Sequence, residues 1–92
     1  VYLTPENVSN RFLVSPLEMR GFVDQFQSPW LQVHFDTGNV MPFGYPQDWI
    51  TTLGSRIRRL HVKDYRLANA NEPGRSVDLL EGDVDWKAVM AA

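Results

Sequence analysis

Three short stretches in which apolar and polar residues alternate, each followed by residues at helical spacing, constrain the fold of this chain most strongly. The alternating stretches are residues 1–6, 31–36 and 57–64. Side chains on a strand alternate between two faces, whereas apolar residues three and four apart mark one face of a helix. The predicted order is therefore strand, helix, strand, helix, strand, loop and helix. Strands alternating with helices in this way indicate βαβ units and a parallel sheet.

Capping signals predict where the first two helices begin and where the second one ends. Ser15, Pro16 and Glu18 form a capping box with a proline in the first turn, so the first helix should begin at Pro16. The second helix should begin near Pro46 and end at Gly54, a residue suited to a C-terminal cap. The expected apolar sides are Met19, Phe22, Val23 and Phe26 in the first helix, and Trp49, Ile50, Leu53 and Ile57 in the second.

The C-terminal part of the chain is predicted to be a long loop followed by a last helix. Residues 65–82 show no persuasive period, and loops of this length are usually functional or disordered. Asp85 can cap a helix whose apolar residues Trp86, Val89 and Met90 continue to the last residue. No signal peptide and no apolar run of roughly 20 residues is visible, so we expect a cytoplasmic protein without membrane contact.

Composition and charge exclude several classes of function. The formal net charge of −2 and the pI near 5.5 offer no basic footprint for nucleic acid or an anionic membrane. The absence of cysteine excludes a disulfide framework, a thiolate zinc site and a thiol nucleophile. Any chemistry must therefore use oxygen and nitrogen groups.

The predicted strands each have one apolar and one polar face, which favours a barrel over an open sheet. Strands of a doubly wound sheet tend to be apolar throughout, because helices cover both faces. In a parallel barrel one face turns to the lumen, and catalytic side chains lie at the C-terminal ends of the strands. We therefore predict an α/β fold, a partial (β/α)8 TIM barrel of about three consecutive βα units. Residues 1–92 are expected to be a fragment of a single TIM-barrel domain, truncated at both ends, which alone would aggregate or be only marginally folded.

Glu6, Asp36 and His61 share the polar face near the ends of the three predicted strands. The polar faces read Tyr2–Thr4–Glu6, Gln32–His34–Asp36 and Arg59–His61–Lys63. Neighbouring strands lie about 4.8 Å apart, so the three end groups should come within reach of one ion. Two carboxylates and an imidazole suit Mn²⁺, Zn²⁺, Co²⁺ or Mg²⁺. Each residue alone also has a structural explanation, such as an Asx turn for the aspartate in "DTGN".

Four motifs resemble one known family. "ENVSNRF", "VHFDTGNV", "LHVKDY" and "LLEGDVDW" are similar, in this order, to the sugar phosphate isomerase/epimerase family of xylose-isomerase-like TIM barrels, which includes ketose 3-epimerases. The resemblance implies that the strands are the fifth to seventh of the barrel. It also implies a divalent metal held by Glu6, Asp36 and His61, with a second glutamate beyond Ala92.

The resemblance further implies a reaction and a role for Glu6. A proton would leave the carbon next to a ketose carbonyl, giving a metal-stabilised enediolate, and Glu6 would be both ligand and proton carrier. Because a second catalytic glutamate of such enzymes is absent from residues 1–92, this chain by itself is expected to be inactive.

Lys63, Asn39 and Arg66 are the candidate substrate-binding residues. Lys63 shares the polar face with His61 and offers a mobile positive charge to a substrate oxygen or phosphate, although a strand-end lysine can equally reach solvent. Asn39 stands where some ketose epimerases have a histidine, and it can instead hold the turn. Arg66 lies in the predicted loop and is a candidate to close over an anionic substrate. The expected partner is a small-molecule sugar or sugar phosphate, and a homo-oligomer is left open.

Two other functions remain open at this stage. An endonuclease-IV-like DNA repair enzyme has the same barrel but recruits several zinc ions with additional histidines; this chain has two histidines and an acidic balance. A non-catalytic α/β module that binds a ligand or partner is the second alternative. It would bind no metal and would tolerate replacement of Glu6, Asp36 and His61.

Overall fold

The computed structural model describes residues 1–8 and 10–92 as a run of helices with a parallel and an antiparallel strand pair. Among these residues, no helix is long and apolar enough to cross a membrane. Short 3-10 turns at Met41–Phe43 and Gly54–Arg56 flank the second helix. The elements are α1 (Pro16–Asp24), β1 (Val33–Asp36), α2 (Pro46–Leu53), β2 (Ile57–His61), β3 (Asp64–Arg66), β4 (Arg75–Val77) and α3 (Trp86–Ala91).

The parallel pairing that the sequence predicts is present between β1 and β2. In this register Asp36 lies opposite His61. Residues 1–6 run parallel beside β1, but they pair only through isolated bridges, one of which joins Glu6 to His34. Pro5 has no N–H to donate, and its carbonyl accepts from the His34 N–H at 3.0 Å. The predicted parallel α/β arrangement is therefore confirmed, although the first segment is less regular than a strand.

The first helix begins where the capping box predicts. The Glu18 N–H donates to the Ser15 hydroxyl oxygen at 3.2 Å, and the Glu18 carboxylate accepts from the Val14 N–H at 3.1 Å. The helix ends at Asp24, so Phe26 lies beyond it and is exposed. The predicted apolar stripe thus extends two residues beyond the end of the helix.

The capping signals of the second and third helices are also confirmed. Pro46 is the first residue of α2, and Gly54 ends it with a positive φ of 54° that a glycine adopts without strain. Asp85 caps α3, because its carboxylate accepts from the Ala88 N–H at 3.0 Å. Ile57, which the helical spacing assigned to the apolar side of α2, instead begins β2.

The core lies between the helices and one face of β1. Phe35 is fully buried and stacks on Trp49 of α2 with ring centroids 5.8 Å apart. The main buried cluster consists of Met19, Val23, Val33, Phe35, Val40, Trp49 and Leu53. Since successive side chains point to opposite faces, His34 and the other polar residues of the strand lie on the face away from the helices.

The predicted loop after the third strand contains a hairpin, which is a correction. β2 ends at His61 rather than at residue 64. β3 begins at Asp64 and pairs antiparallel with β4, which lies within the predicted loop of residues 65–82. Strands of three residues are too short to show a period of two in the sequence. Gly74 permits the close approach of the strands, because a Cβ there would overlap the Tyr65 ring.

Candidate functional site

Glu6, Asp36 and His61 come together at the C-terminal ends of three adjacent parallel segments. The His61 Nδ1 atom lies 3.1 Å from Asp36 Oδ2 and 3.5 Å from Glu6 Oε1. The cause is the register, which sets Asp36 opposite His61 and pairs Glu6 with the strand on the other side. The sequence predicted this convergence from side-chain parity combined with the inferred parallel pairing of neighbouring strands.

Asp36 is held rigidly at the centre of this cluster. Its side chain is 1% exposed, and Oδ1 accepts from the N–H groups of Gly38 and Asn39, both at 2.8 Å. Asn7 clamps its backbone from the neighbouring segment: Nδ2 donates to the Asp36 carbonyl at 2.9 Å, and Oδ1 accepts from the Asp36 N–H at 2.7 Å. The Asx turn predicted from "DTGN" therefore uses Oδ1 and leaves Oδ2 directed toward His61.

The Oδ2 atom of Asp36 is buried and lies 3.1 Å from His61 Nδ1, but it accepts no hydrogen bond of favourable geometry from the described residues. A buried carboxylate oxygen without a partner is costly, so its neighbourhood is suited to a positive charge. Lys63 Nζ is 3.8 Å away, beyond hydrogen-bonding distance. A divalent cation held by Asp36, His61 and Glu6 would satisfy this oxygen, and the mixed oxygen and nitrogen donors fit Mn²⁺, Zn²⁺, Co²⁺ or Mg²⁺.

His34 is a fourth side chain in the cluster, and it is not among the ligands predicted from the sequence. Its Nδ1 atom lies 3.9 Å from Glu6 Oε2, and its ring centroid is 6.2 Å from that of His61. One ligand atom from each of Glu6, His34 and His61 lies within 4.8 Å of the other two. The signal was present in the sequence, because His34 has the same strand parity as Asp36.

Lys63 and Asn39 lie at the rim of the cluster, where their side chains form a hydrogen bond with each other. The Lys63 ammonium donates to Asn39 Oδ1 at 2.9 Å, and Asn39 Nδ2 donates to the Asn7 carbonyl at 3.0 Å. The Lys63 backbone is fixed by the Thr37 hydroxyl, which accepts from the Lys63 N–H at 2.9 Å and donates to its carbonyl at 2.7 Å. A positive charge is thereby anchored beside the carboxylates.

Arg66 lies away from this arrangement. It belongs to β3, it is exposed, and its guanidinium donates to the Glu81 carbonyl. Among the described hydrogen bonds and ion pairs, none joins Arg66 to Glu6, Asp36 or His61. The structure thus connects Arg66 to the loop before α3 rather than to the carboxylate and imidazole cluster.

Asp64 organises the loop that follows the hairpin, and the sequence analysis did not identify it. Its buried carboxylate accepts from the indole of Trp86 and from four backbone N–H groups, those of Tyr65, Leu80, Gly82 and Val84. Burial by itself would raise the pKa of this carboxyl, but the hydrogen bonds from Trp86 and the backbone outweigh burial and lower the pKa. The hydrogen bonds of Asp64 therefore hold the loop before α3 against the residue that follows Lys63.

Parallel βα units with polar groups at the C-terminal ends of adjacent strands are typical of TIM-barrel enzymes. A family model described as xylose isomerase-like TIM barrel matches residues 1–92. The chain belongs to this family.

Two relatives agree with this assignment. SgbU of Escherichia coli (strain K12), provisionally named an L-ribulose-5-phosphate 3-epimerase, is 30% identical over a 92-residue alignment that covers 97% of this chain and 32% of SgbU. The crystal structure of a xylose isomerase domain protein from Planctomyces limnophilus matches with a TM-score of 0.80 and 25% identity, over 97% of this chain and 33% of that protein. The chain thus spans about a third of the length of both proteins.

Proposed function

We propose that the full-length protein is a divalent-metal-dependent isomerase or epimerase of a ketose sugar or sugar phosphate. The observation that carries the proposal is the buried Oδ2 of Asp36, which accepts no hydrogen bond and lies 3.1 Å from His61 Nδ1, an atom that is in turn 3.5 Å from Glu6 Oε1. Membership of the xylose isomerase-like family supports the reaction class. The name of SgbU supports a phosphorylated pentulose as the first substrate to test.

Glu6, Asp36 and His61 would hold the cation. The cation would supply Lewis acidity, which polarises a ketose carbonyl and lowers the cost of the enediolate formed at the neighbouring carbon. Asp36 is the rigid member of this set, since four hydrogen bonds fix its side chain and backbone. Glu6 and His61 are more exposed, at 31% and 54%, and so remain accessible to substrate.

Glu6 and Lys63 would act on the substrate directly. Glu6 is the carboxylate that a sugar could reach, and we assign it the transfer of the proton next to the carbonyl. Lys63 would contact a substrate oxygen or phosphate with its ammonium group, which Asn39 holds at the rim of the cluster. Arg66 would contribute only to substrates long enough to extend toward the loop before α3.

The charged surface favours a small sugar over DNA as substrate. Arg56 is paired with Asp24 at 2.7 Å, and Arg58 stacks on the Tyr2 ring at 4.1 Å. These two arginines are therefore engaged within the chain, whereas a phosphate-rich duplex requires many cationic contacts. The formal charge of −2 points in the same direction.

The test uses the full-length protein loaded in turn with Mn²⁺, Zn²⁺, Co²⁺ and Mg²⁺. Ketoses and ketose phosphates are incubated in ²H₂O, and deuterium incorporation next to the carbonyl is followed by NMR. We expect incorporation with the wild type and its loss in Asp36→Asn and His61→Ala, together with loss of bound metal. Asp48→Asn, an exposed carboxylate on α2, is the matched control and should behave as wild type.

Each adverse result identifies a different error. Unchanged metal content in both site variants would remove the proposed metal site. Normal metal binding without deuterium incorporation in any substrate would instead support the non-catalytic binding module.

A further inference from the structure

We propose that His34 is a fourth ligand of this metal site and that it biases the site toward Zn²⁺ over Mn²⁺ and Mg²⁺. The inference rests on the metal site of the proposed function, but it goes beyond the ligand set that the family resemblance implies. That set has one imidazole, and its fourth member is a glutamate outside residues 1–92. The present chain supplies a second imidazole of its own.

The backbone places His34 beside Glu6 and directs its side chain to the strand face that carries Asp36. The two residues form a parallel bridge, and the His34 N–H donates to the Pro5 carbonyl at 3.0 Å. His34 and Asp36 are two residues apart on β1, so their side chains leave the strand on the same face. The imidazole of His34 is therefore directed to the face that carries Asp36 and His61.

Three separations between donor atoms are close to those that one ion requires. Ligand atoms about 2.1 Å from a tetrahedral ion lie about 3.4 Å from one another. The His61 Nδ1 atom is 3.1 Å from Asp36 Oδ2 and 3.5 Å from Glu6 Oε1, and the His34 Nδ1 atom is 3.9 Å from the other Glu6 oxygen, Oε2. Glu6, His34 and His61 each offer a ligand atom within 4.8 Å of the other two, and His61 also approaches the fixed Asp36 Oδ2. Rotation of the three partly exposed side chains toward Asp36 would be needed for all four donors to share one ion.

The chemistry of the donors gives the direction of the selectivity. Imidazole nitrogen suits Zn²⁺, whereas carboxylate, carbonyl and water oxygens suit Mg²⁺ and Mn²⁺. A donor set with two imidazoles therefore binds zinc more tightly, relative to manganese, than a set with one imidazole. Removal of His34 should reduce zinc binding much more than manganese binding.

The test measures metal affinity rather than turnover. In the full-length protein, competition with a chromophoric chelator gives the affinities of wild type, His34→Ala and His34→Gln for Zn²⁺ and for Mn²⁺. Replacement of outer-shell partners already lowers metal affinity about 10–100-fold, so loss of a direct ligand should lower zinc affinity at least about tenfold. Manganese affinity should change by less. Gln32→Ala, on the same face one pleat earlier, is the matched control and should change neither affinity.

X-ray absorption at the zinc edge of the wild-type protein provides a second measurement that needs no variant. Two coordinated imidazoles are expected, and one in a folded His34 variant. A single imidazole in the wild type, or unchanged zinc affinity in both His34 variants, would overturn the inference. If Asp36→Asn still abolishes metal binding, the proposed function stands in that case. Absence of metal binding in the wild type would overturn both proposals.

Discussion

Replacement of Asp64 by asparagine should destabilise the protein more than replacement of any exposed carboxylate. The Asp64 carboxylate is 0% exposed and accepts five hydrogen bonds, at distances from 2.8 to 3.2 Å. An asparagine of the same shape retains one acceptor oxygen and directs an N–H₂ group at donors. One set of donors then loses its acceptor. That set is either the Tyr65 and Val84 N–H groups, which bind Oδ1, or the Leu80 and Gly82 N–H groups and the Trp86 indole, which bind Oδ2.

The size of the destabilisation depends on which N–H donors can be hydrated once they lose the Asp64 carboxylate. Val84 is buried, whereas Leu80 is 79% exposed and its N–H can be solvated more easily. Hydrogen bonds to charged groups contribute about 1.5–3 kcal/mol each, and a buried donor without an acceptor costs about 1–3 kcal/mol. Counting one or two bonds as truly lost, we expect Asp64→Asn to lower the free energy of unfolding by about 3 kcal/mol.

The effect should also depend on pH with a definite sign. The pKa of Asp64 is lowered in the folded state, so its contribution to stability is present above the pKa of the unfolded chain, about 3.9. This contribution is lost as the pH falls through the lower folded pKa. The stability difference between wild type and Asp64→Asn should therefore be full at neutral pH and should shrink below about pH 4.

Urea unfolding of the full-length protein, followed by circular dichroism between pH 3 and pH 7, measures both quantities. Asp24→Asn is the matched control, because this carboxylate is 49% exposed and pairs with Arg56 at the surface. We expect a much smaller change in the control. An Asp64→Asn variant as stable as the control, or a stability difference that persists unchanged in acid, would show that the hydrogen bonds of the ionised Asp64 carboxylate do not stabilise the fold.

Three further substitutions test the site. Asn7→Ala removes both hydrogen bonds to the Asp36 backbone. It should lower the free energy of unfolding by about 2 kcal/mol, measured by thermal melting, and the metal affinity about 10–100-fold, measured by chelator competition. A normal metal affinity would show that Asn7 does not position Asp36. Gly38→Ala places a Cβ 3.0 Å from Lys63 Cγ, so the lysine must move. The KM for phosphorylated ketoses should then rise more than kcat falls, and a change confined to kcat would be inconsistent with phosphate binding by Lys63. Glu6→Gln should slow deuterium incorporation at least about 100-fold, and incorporation at the wild-type rate would exclude Glu6 as the proton carrier.

Local rules were sufficient to predict the frame of the fold. The capping box at Ser15, Pro16 at the start of α1 and the Asp85 cap depend on neighbours within four residues, and each is present. The period of two along residues 31–36 is equally local, and it placed Asp36 and His61 together once parallel pairing was inferred. The end of the first helix was predicted less well than that of the second, because Phe26 continues the helical spacing after α1 has stopped.

The residues that sequence analysis missed depend on partners distant in the chain. Asn7 binds Asp36 across 29 residues, and Asp64 binds groups 16 to 22 residues away, so no local spacing reveals either role. His34 is different, because its parity was visible and only its distance from Glu6 was unknown. The hairpin of β3 and β4 was missed because three-residue strands carry no detectable period.

Anomalous diffraction from crystals of the full-length protein grown with Mn²⁺ or Zn²⁺ tests the central claim most directly. We expect one strong peak about 2.0–2.3 Å from Asp36 Oδ2, a carboxylate oxygen of Glu6 and a ring nitrogen of His61. Well-ordered side chains at this position with no peak between them, or a peak bound by other residues, would contradict the proposed metal site.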